Sequence, residues 1–143
     1  MKKVIKNKIY DTETARRCGE WDNGRYTSDF GYCSETLYQK KTGEFFLHGK
    51  GGAMSSYAKH SGNESSWGEQ IMPMTYKEAA EWAEEHLDGD EYIGIFGNPE
   101  EDSSRIVIHI SIRKDTHDKV KRAAAMTGKT VSEYIEDALN GNL

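Results

Sequence analysis

The chain has 143 residues, of which 36% are hydrophobic and 30% are charged, and its formal net charge is −5. This size is typical of one ordinary domain or of two small ones, each with only a modest core. No apolar run reaches the roughly 18 residues of a membrane helix, and the start MKKVIKNK lacks the apolar block of a signal peptide. We therefore expect a cytoplasmic protein with no membrane partner.

The first hundred residues predict a compact α+β module of hairpin and helix. Val4 to Tyr10 alternates as a strand, and Glu35 to His48 predicts a hairpin that turns at Lys41-Thr-Gly43. Thr75 and Glu78 form a Thr-x-x-Glu capping box, which marks the start of a helix. The apolar face of this helix would consist of Tyr76, Ala79, Ala80, Ala83 and Leu87.

The end of this module is marked by a change of composition. Glu91 to Phe96 predicts a strand or short apolar segment, and the glycine- and serine-rich stretch 49–68 is the least predictable loop. Asn98 to Ser104 is polar and acidic and contains a proline, as linkers often do. The sequence therefore predicts an acidic α+β domain over 1–97, a linker over 98–104 and a second module over 105–143.

The second module begins with isoleucines at every other position from Ile106 to Ile112, which would share one face of a strand. Asp115 is the predicted N-cap of a first helix that ends at Gly128, and Thr130-Val-Ser-Glu133 caps a second. A lone strand with an apolar face needs a second strand, so we predict a homodimer. The expected dimer contacts are Ile106, Ile108, Ile110, Ile112, Val120, Tyr134 and Ile135.

This order of strand, helix, Gly128 and capped helix over residues 105–140 resembles a ribbon-helix-helix module of the Arc/MetJ type. The resemblance implies two strands from two chains that pair antiparallel and enter the major groove of double-stranded DNA. It assigns base reading to Val107, His109 and Ser111, and a phosphate contact to Lys129, Thr130 and Val131. Arg105 and Arg113 flank the ribbon and would contact phosphate.

The base-reading positions are chemically poor. Valine offers no hydrogen bond, and His109 and Ser111 offer single bonds in place of the bidentate contacts that discriminate bases. The alternative is a ribbon that serves only for dimerisation.

The N-terminal half carries a second resemblance, on Ile9–Ala15, Glu35–Tyr38, Gly43–Leu47, Gly51-Gly52 and Glu78–Leu87. These segments resemble a module found in small proteins of phages and plasmids, a group that includes anti-CRISPR proteins acting on Cas9. The resemblance implies inhibition of a CRISPR-Cas effector and supplies no catalytic motif.

One stretch of the N-terminal half is strongly acidic. From Tyr76 to Tyr92 the chain has one lysine and seven acidic residues, a charge that would attract a basic groove. The alternative is an ordinary solvated helix face. The candidate partner face consists of Glu78, Glu81, Glu84, Glu85 and Asp88. Further contact or core candidates are Trp21, Tyr26, Phe30, Tyr32, Tyr57 and Trp67.

Enzymatic motifs are weak. The spacing from Gly43 to Gly51 departs from that of a phosphate-binding loop. Cys18, Cys33, His48 and His60 have long, unequal spacings for zinc ligands. We expect the cysteines to be reduced, the protein to bind no metal or other cofactor, and the protein not to be an enzyme.

Two functions remain in view. The leading prediction is a dimeric anti-CRISPR inhibitor that binds a CRISPR-Cas effector, Cas9 above all, through its acidic surface. The alternative is a ribbon-helix-helix transcription regulator or antitoxin, with an N-terminal domain that binds a partner or ligand.

Overall fold

The chain folds into two compact units, Met1–Val107 and Ile108–Leu143. The structure is a computed structural model that describes residues 1–99, 106 and 108–143. The described residues contain antiparallel strands and four helices, which confirms the predicted α+β class.

The N-terminal unit begins with a β-hairpin of β1 (Lys2–Ile5) and β2 (Lys8–Asp11). The prediction of one continuous strand from Val4 to Tyr10 is therefore wrong. Lys6 and Asn7 adopt positive φ angles of 48° and 66°, as a two-residue hairpin turn requires. Asparagine accepts this left-handed backbone more readily than most residues, so the chain reverses where a strand would continue.

A four-stranded antiparallel sheet forms the centre of this unit, in the order β3 (Arg16–Asp22), β4 (Cys33–Gln39), β5 (Phe45–Gly51) and β8 (Gly68–Met74). The predicted hairpin at 35–48 is β4 and β5, and Gly43 in its turn has a φ of 93°. The 49–68 stretch holds a small hairpin of β6 (Lys59–Ser61) and β7 (Glu64–Ser66).

Two helices follow the sheet, α1 (Tyr76–His86) and α2 (Gly89–Phe96). The side chain of Thr75 accepts a hydrogen bond from the backbone N–H of Glu78, which is one of the two bonds of the predicted capping box. The predicted strand from Glu91 to Phe96 is wrong, because this segment belongs to α2. Asp88 and Glu91 form a reciprocal capping box that starts this helix.

The sheet separates two apolar clusters. On one face, which we call the helical face, Leu37, Phe45 and Leu47 pack against α1. The α1 residues buried there are Ala79, Trp82 and Ala83, of which the predicted apolar face omitted Trp82. On the other face, which we call the hairpin face, Phe46 and Ile71 pack against Tyr10 of β2.

The C-terminal unit is a pair of helices, α3 (Lys114–Thr127) and α4 (Val131–Asn140). Gly128 is left-handed with φ 69° and ends α3 as predicted. The helix begins at Lys114 with Arg113 at the N-cap, so the prediction of Asp115 as N-cap is wrong by two residues. Ala124 is the buried hydrophobic residue among those described in this unit.

The predicted ribbon falls partly outside the described residues, which exclude Arg105 and Val107. Residue 106 and residues 108–112 are not in a strand in this single chain. A ribbon strand needs the hydrogen-bond ladder of a neighbour, so its pairing stays a prediction.

Gly49 provides a direct test of the packing on the helical face. A Cβ atom at this position would lie 2.1 Å from the ring of Tyr57, so we expect Gly49→Ala to lower the free energy of unfolding by about 1–3 kcal/mol. Gly94 in α2 is the control, because a Cβ there meets nothing within 4 Å. Gly94→Ala should be neutral or stabilising in urea denaturation. Equal effects of the two substitutions would contradict the tight packing.

Candidate functional site

The most highly charged surface of the N-terminal unit lies on α1 and the start of α2. All seven carboxylates of this stretch are exposed, and we call them the acidic face: Glu78, Glu81, Glu84, Glu85, Asp88, Asp90 and Glu91. Lys77 is the one lysine among them, with its Nζ atom 4.0 Å from a carboxylate oxygen of Glu81. The acidic face therefore carries a large uncompensated negative charge.

The geometry of α1 explains why these carboxylates point outward together. A helix advances by 100° per residue, so the acidic positions of α1 lie on the side opposite Ala79, Trp82 and Ala83. Burial of those three against the sheet fixes the rotation of the helix. The five residues predicted as a partner face are thus exposed and adjacent.

Beneath the acidic face, Glu35 of β4 joins three parts of the unit. Its Oε2 atom accepts a hydrogen bond of 2.7 Å from Nε1 of Trp82, and its Oε1 atom accepts one of 2.6 Å from the hydroxyl of Tyr57. Tyr57 lies over Gly49, whose missing side chain leaves room for the ring. Both carboxylate oxygens are therefore used to hold α1 and the loop after β5 on the sheet.

Aromatic rings extend this network along α1. The ring of His86 lies 4.5 Å from that of Trp21 and 5.1 Å from that of Trp82, measured between centroids. Trp21 stands opposite Glu35 in the register of β3 and β4. The role of Glu35 was not predicted from the sequence, although the alternation that places Leu37 on the helical face also places Glu35 on that face.

Two loops present exposed apolar side chains. Tyr26, Phe30 and Met54 are 86%, 68% and 79% exposed, and we call them the loop patch. The backbone N–H of Met54 donates to the carbonyl of Phe30 over 2.7 Å, and that of Gly52 donates to the carbonyl of Tyr32 over 2.9 Å. These bonds hold the two loops together. Exposed aromatic and methionine side chains on a fixed backbone are typical of protein-binding surfaces.

The remaining aromatic candidates divide between surface and interior. Trp67 is exposed and stacks on half-buried Tyr32, with 5.9 Å between ring centroids. Trp21 is half-buried and Tyr57 is buried, so these two residues contribute to packing. The surface candidates are thus Tyr26, Phe30 and Trp67.

The predicted dimer contacts are mostly exposed in the single chain. The exposed fractions of Ile106, Ile108, Ile110 and Ile112 run from 87% down to 44%. Val120, Tyr134 and Ile135 are half-buried. Removal of isoleucine side chains from water lowers the free energy, so this row favours a contact that would cover it.

The predicted DNA contacts are brought together only in part. The side chain of Thr130 accepts a hydrogen bond of 3.1 Å from the backbone N–H of Glu133 at the start of α4. Lys129 forms an ion pair with Asp137, which competes with a phosphate for its ammonium group. His109, Ser111 and Arg113 are exposed, while Arg105 and Val107 lie outside the described residues.

The four residues considered as zinc ligands, Cys18, Cys33, His48 and His60, do not form a metal site in the described part of the chain. Cys18 and Cys33 are free thiols, and burial raises the pKa of both. His48 is hydrogen-bonded to Glu69 at 2.7 Å, and His60 to Ser65 at 2.8 Å. In the part of the chain that the structure describes, no group of three or more histidine, cysteine, aspartate or glutamate residues could hold a metal ion.

Comparison of the chain with known protein families, curated protein sequences and solved structures found no match. Within the described ranges, every helix is too short or too polar to span a bilayer.

The Tyr57–Glu35 bond makes stability depend on pH in the alkaline range. Burial, and then the hydrogen bond to Glu35, raise the pKa of Tyr57 above its ordinary value. A raised pKa means that the unfolded chain loses the phenol proton first, so the stabilisation is complete below about pH 10 and is lost as the pH rises further. We expect the free energy of unfolding to fall less steeply above pH 10 in Tyr57→Phe than in the parent. Tyr26→Phe, at an exposed position, should leave the slope unchanged, and equal slopes for all three proteins would refute the coupling.

Proposed function

We propose that the protein is an anti-CRISPR-type inhibitor that binds a CRISPR-Cas effector, most directly Cas9, in the cytoplasm of a bacterial host. The observation that supports this proposal is the acidic face, with seven exposed carboxylates and one lysine on α1 and the start of α2. Nucleic-acid channels of such effectors are positively charged. An acidic helix surface is complementary to a channel of that kind.

Inhibition would follow from occupancy and needs no chemistry. Carboxylates on α1 would replace nucleic-acid phosphates against lysine and arginine side chains of the effector. Long-range attraction speeds such an encounter and makes it sensitive to salt. The Glu35 network contributes by presenting the carboxylates on a helix that does not need to order on binding.

The loop patch supplies the second element of a stable complex. Charge complementarity gives specificity and rate more than affinity, which comes from buried anchors. Tyr26, Phe30 and Met54 are of the right type to be such anchors.

Dimerisation through the C-terminal ribbon is the third part of the proposal. The exposed isoleucine row would pair with its copy in a second chain, as in ribbon-helix-helix proteins. A dimer presents the acidic face twice, and linked binding can exceed single-site affinity by a factor of about 10²–10⁴ when the geometry permits it.

Charge reversal tests the acidic face. We expect the triple variant Glu81→Lys, Glu84→Lys, Glu85→Lys to lose inhibition of plasmid cleavage by Cas9, and higher salt to weaken inhibition by the parent. Glu78 stays unchanged because its negative side chain lies in the first turn of α1, where it stabilises the helix. Exposed substitutions of this kind cost about 0.5 kcal/mol or less each, so the fold should persist in circular dichroism.

The matched control for charge reversal is Glu13→Lys with Glu64→Lys, two exposed acids outside α1 and α2. This control should inhibit as well as the parent does. Full inhibition by the folded triple variant would refute the acidic-face mechanism. A parent that leaves several effectors active but shifts a promoter fragment in a gel would favour the ribbon-helix-helix regulator instead.

The dimer is tested separately. Ile108→Asp with Ile110→Asp would bury unpaired charges in the ribbon, at several kcal/mol each, so we expect light scattering to report a monomer. Met126→Asp is the control, because this side chain is exposed on α3 and outside the isoleucine row. A monomeric parent at micromolar concentration would exclude the ribbon dimer.

A further inference from the structure

A second charged surface lies on the hairpin side of the N-terminal unit, and it is basic. Residues 1–17 and 40–44 carry eight lysines and arginines against three acids. We call six of these cations the basic edge: Lys3, Lys6, Lys8, Arg16, Lys40 and Lys41. The net charge of −5 does not reveal this surface, because it sums the acidic and basic parts of the chain.

Tertiary contacts bring the basic edge together from three elements. The Nζ atom of Lys40 lies 4.6 Å from the centroid of the Tyr10 ring, and Tyr10 pairs with Lys3 across the hairpin. Lys8 at the other end of β2 binds Glu44, 2.5 Å away. The β1–β2 hairpin and the β4–β5 turn therefore form one surface.

Most of this positive charge is uncompensated. Glu44 is shared by Lys8 and Lys40, with its second oxygen 3.2 Å from the Lys40 Nζ atom. Lys3, Lys6 and Lys41 are exposed and have no ion-pair partner within the described ranges. Arg16 is also exposed, at 3.0 Å from the neutral amide oxygen of Gln39.

The β1–β2 hairpin, which carries Lys3, Lys6 and Lys8, lies on the face of the sheet opposite α1, and the β4–β5 turn with Lys40 and Lys41 lies at an end of the sheet. Tyr10 anchors the β1–β2 hairpin on the hairpin face, with its ring 5.5 Å from that of Phe46. Helix α1 covers the helical face. The unit is therefore electrostatically bipolar, and the two surfaces can engage different partners at the same time.

We propose that the basic edge binds the phosphate backbone of nucleic acid without reading its sequence. Lysine ammonium groups act as point charges toward phosphate, and their contacts release counterions. Lysine is depleted in protein–protein interfaces, which disfavours an acidic protein as the partner. Lys6 lies in the exposed two-residue turn of the β1–β2 hairpin, where its ammonium group is accessible to a duplex. This proposal stands without the CRISPR-Cas target, because it uses a surface distinct from the acidic face.

The test is fluorescence anisotropy of the full chain with a labelled duplex DNA of mixed sequence, over a range of salt. Contacts from Lys3, Lys6 and Lys41 predict a log–log slope of about −2.7, or an affinity loss of about 40-fold between 50 and 200 mM salt. The variant Lys3→Glu, Lys6→Glu, Lys41→Glu should reduce affinity at low salt by about tenfold or more and flatten this slope.

Two control variants separate the basic edge from other cations. Lys59→Glu with Lys77→Glu changes exposed lysines elsewhere in the same unit and should leave the affinity within about twofold of the parent. Arg113→Glu with Lys121→Glu and Arg122→Glu changes exposed cations of the C-terminal unit. If only that variant lost DNA binding, the DNA-binding site would lie in the C-terminal unit and the proposal would be overturned.

Further outcomes are decisive. Parent-like affinity and slope in the folded basic-edge triple variant would overturn the proposal, as would undetectable duplex binding by the parent at low salt. A labelled polyglutamate peptide that binds more tightly than the duplex would assign the surface to an acidic protein. Lys6→Ala at the exposed turn serves as the milder second variant. It should flatten the slope of log affinity against log salt concentration by about 0.9, the value for one phosphate contact.

Discussion

The hydrogen bonds of Glu35 are the constraint on which the N-terminal unit depends. One carboxylate receives the indole N–H of Trp82 from α1 and the hydroxyl of Tyr57 from the loop after β5. Glu35 is half-buried, and loss of either donor would leave one of its carboxylate oxygens without that partner, so the bonds favour one arrangement of the three elements. Together with the burial of Ala79, Trp82 and Ala83 against the sheet, these bonds set the rotation of α1 and with it the outward direction of its acids.

Local sequence signals predicted the elements whose geometry is set locally. The Thr75 cap, the Lys41-Thr-Gly43 turn and the left-handed Gly128 are examples, because each depends on the chemistry of a few neighbouring residues. The segment Glu91–Phe96 was mistaken for a strand, since its isoleucines and aromatics favour a sheet and only the capping box with Asp88 indicates a helix. The hairpin at Lys6-Asn7 was missed because alternation continues on both sides of the turn.

Charged residues counted along the sequence predict a surface that is contiguous in sequence but not one assembled by tertiary contacts. The acidic face is contiguous in sequence and was predicted from composition alone. The basic edge was missed because its lysines come from two distant parts of the sequence, which meet through the packing of Tyr10 and the shared carboxylate of Glu44. The loop patch likewise depends on backbone bonds between two loops. Surfaces assembled by tertiary contacts require the fold.

The C-terminal unit has a thermodynamic property that its size imposes. Its described residues bury Ala124 and leave the isoleucines in water, so a ribbon pairing would supply much of the apolar burial that stabilises it. If the ribbon pairs as proposed, folding and association of this segment are one equilibrium, and its stability rises with the protein concentration. A bivalent protein would then emerge only once expression passed a threshold. The fraction of bivalent protein would then report the concentration of the chain.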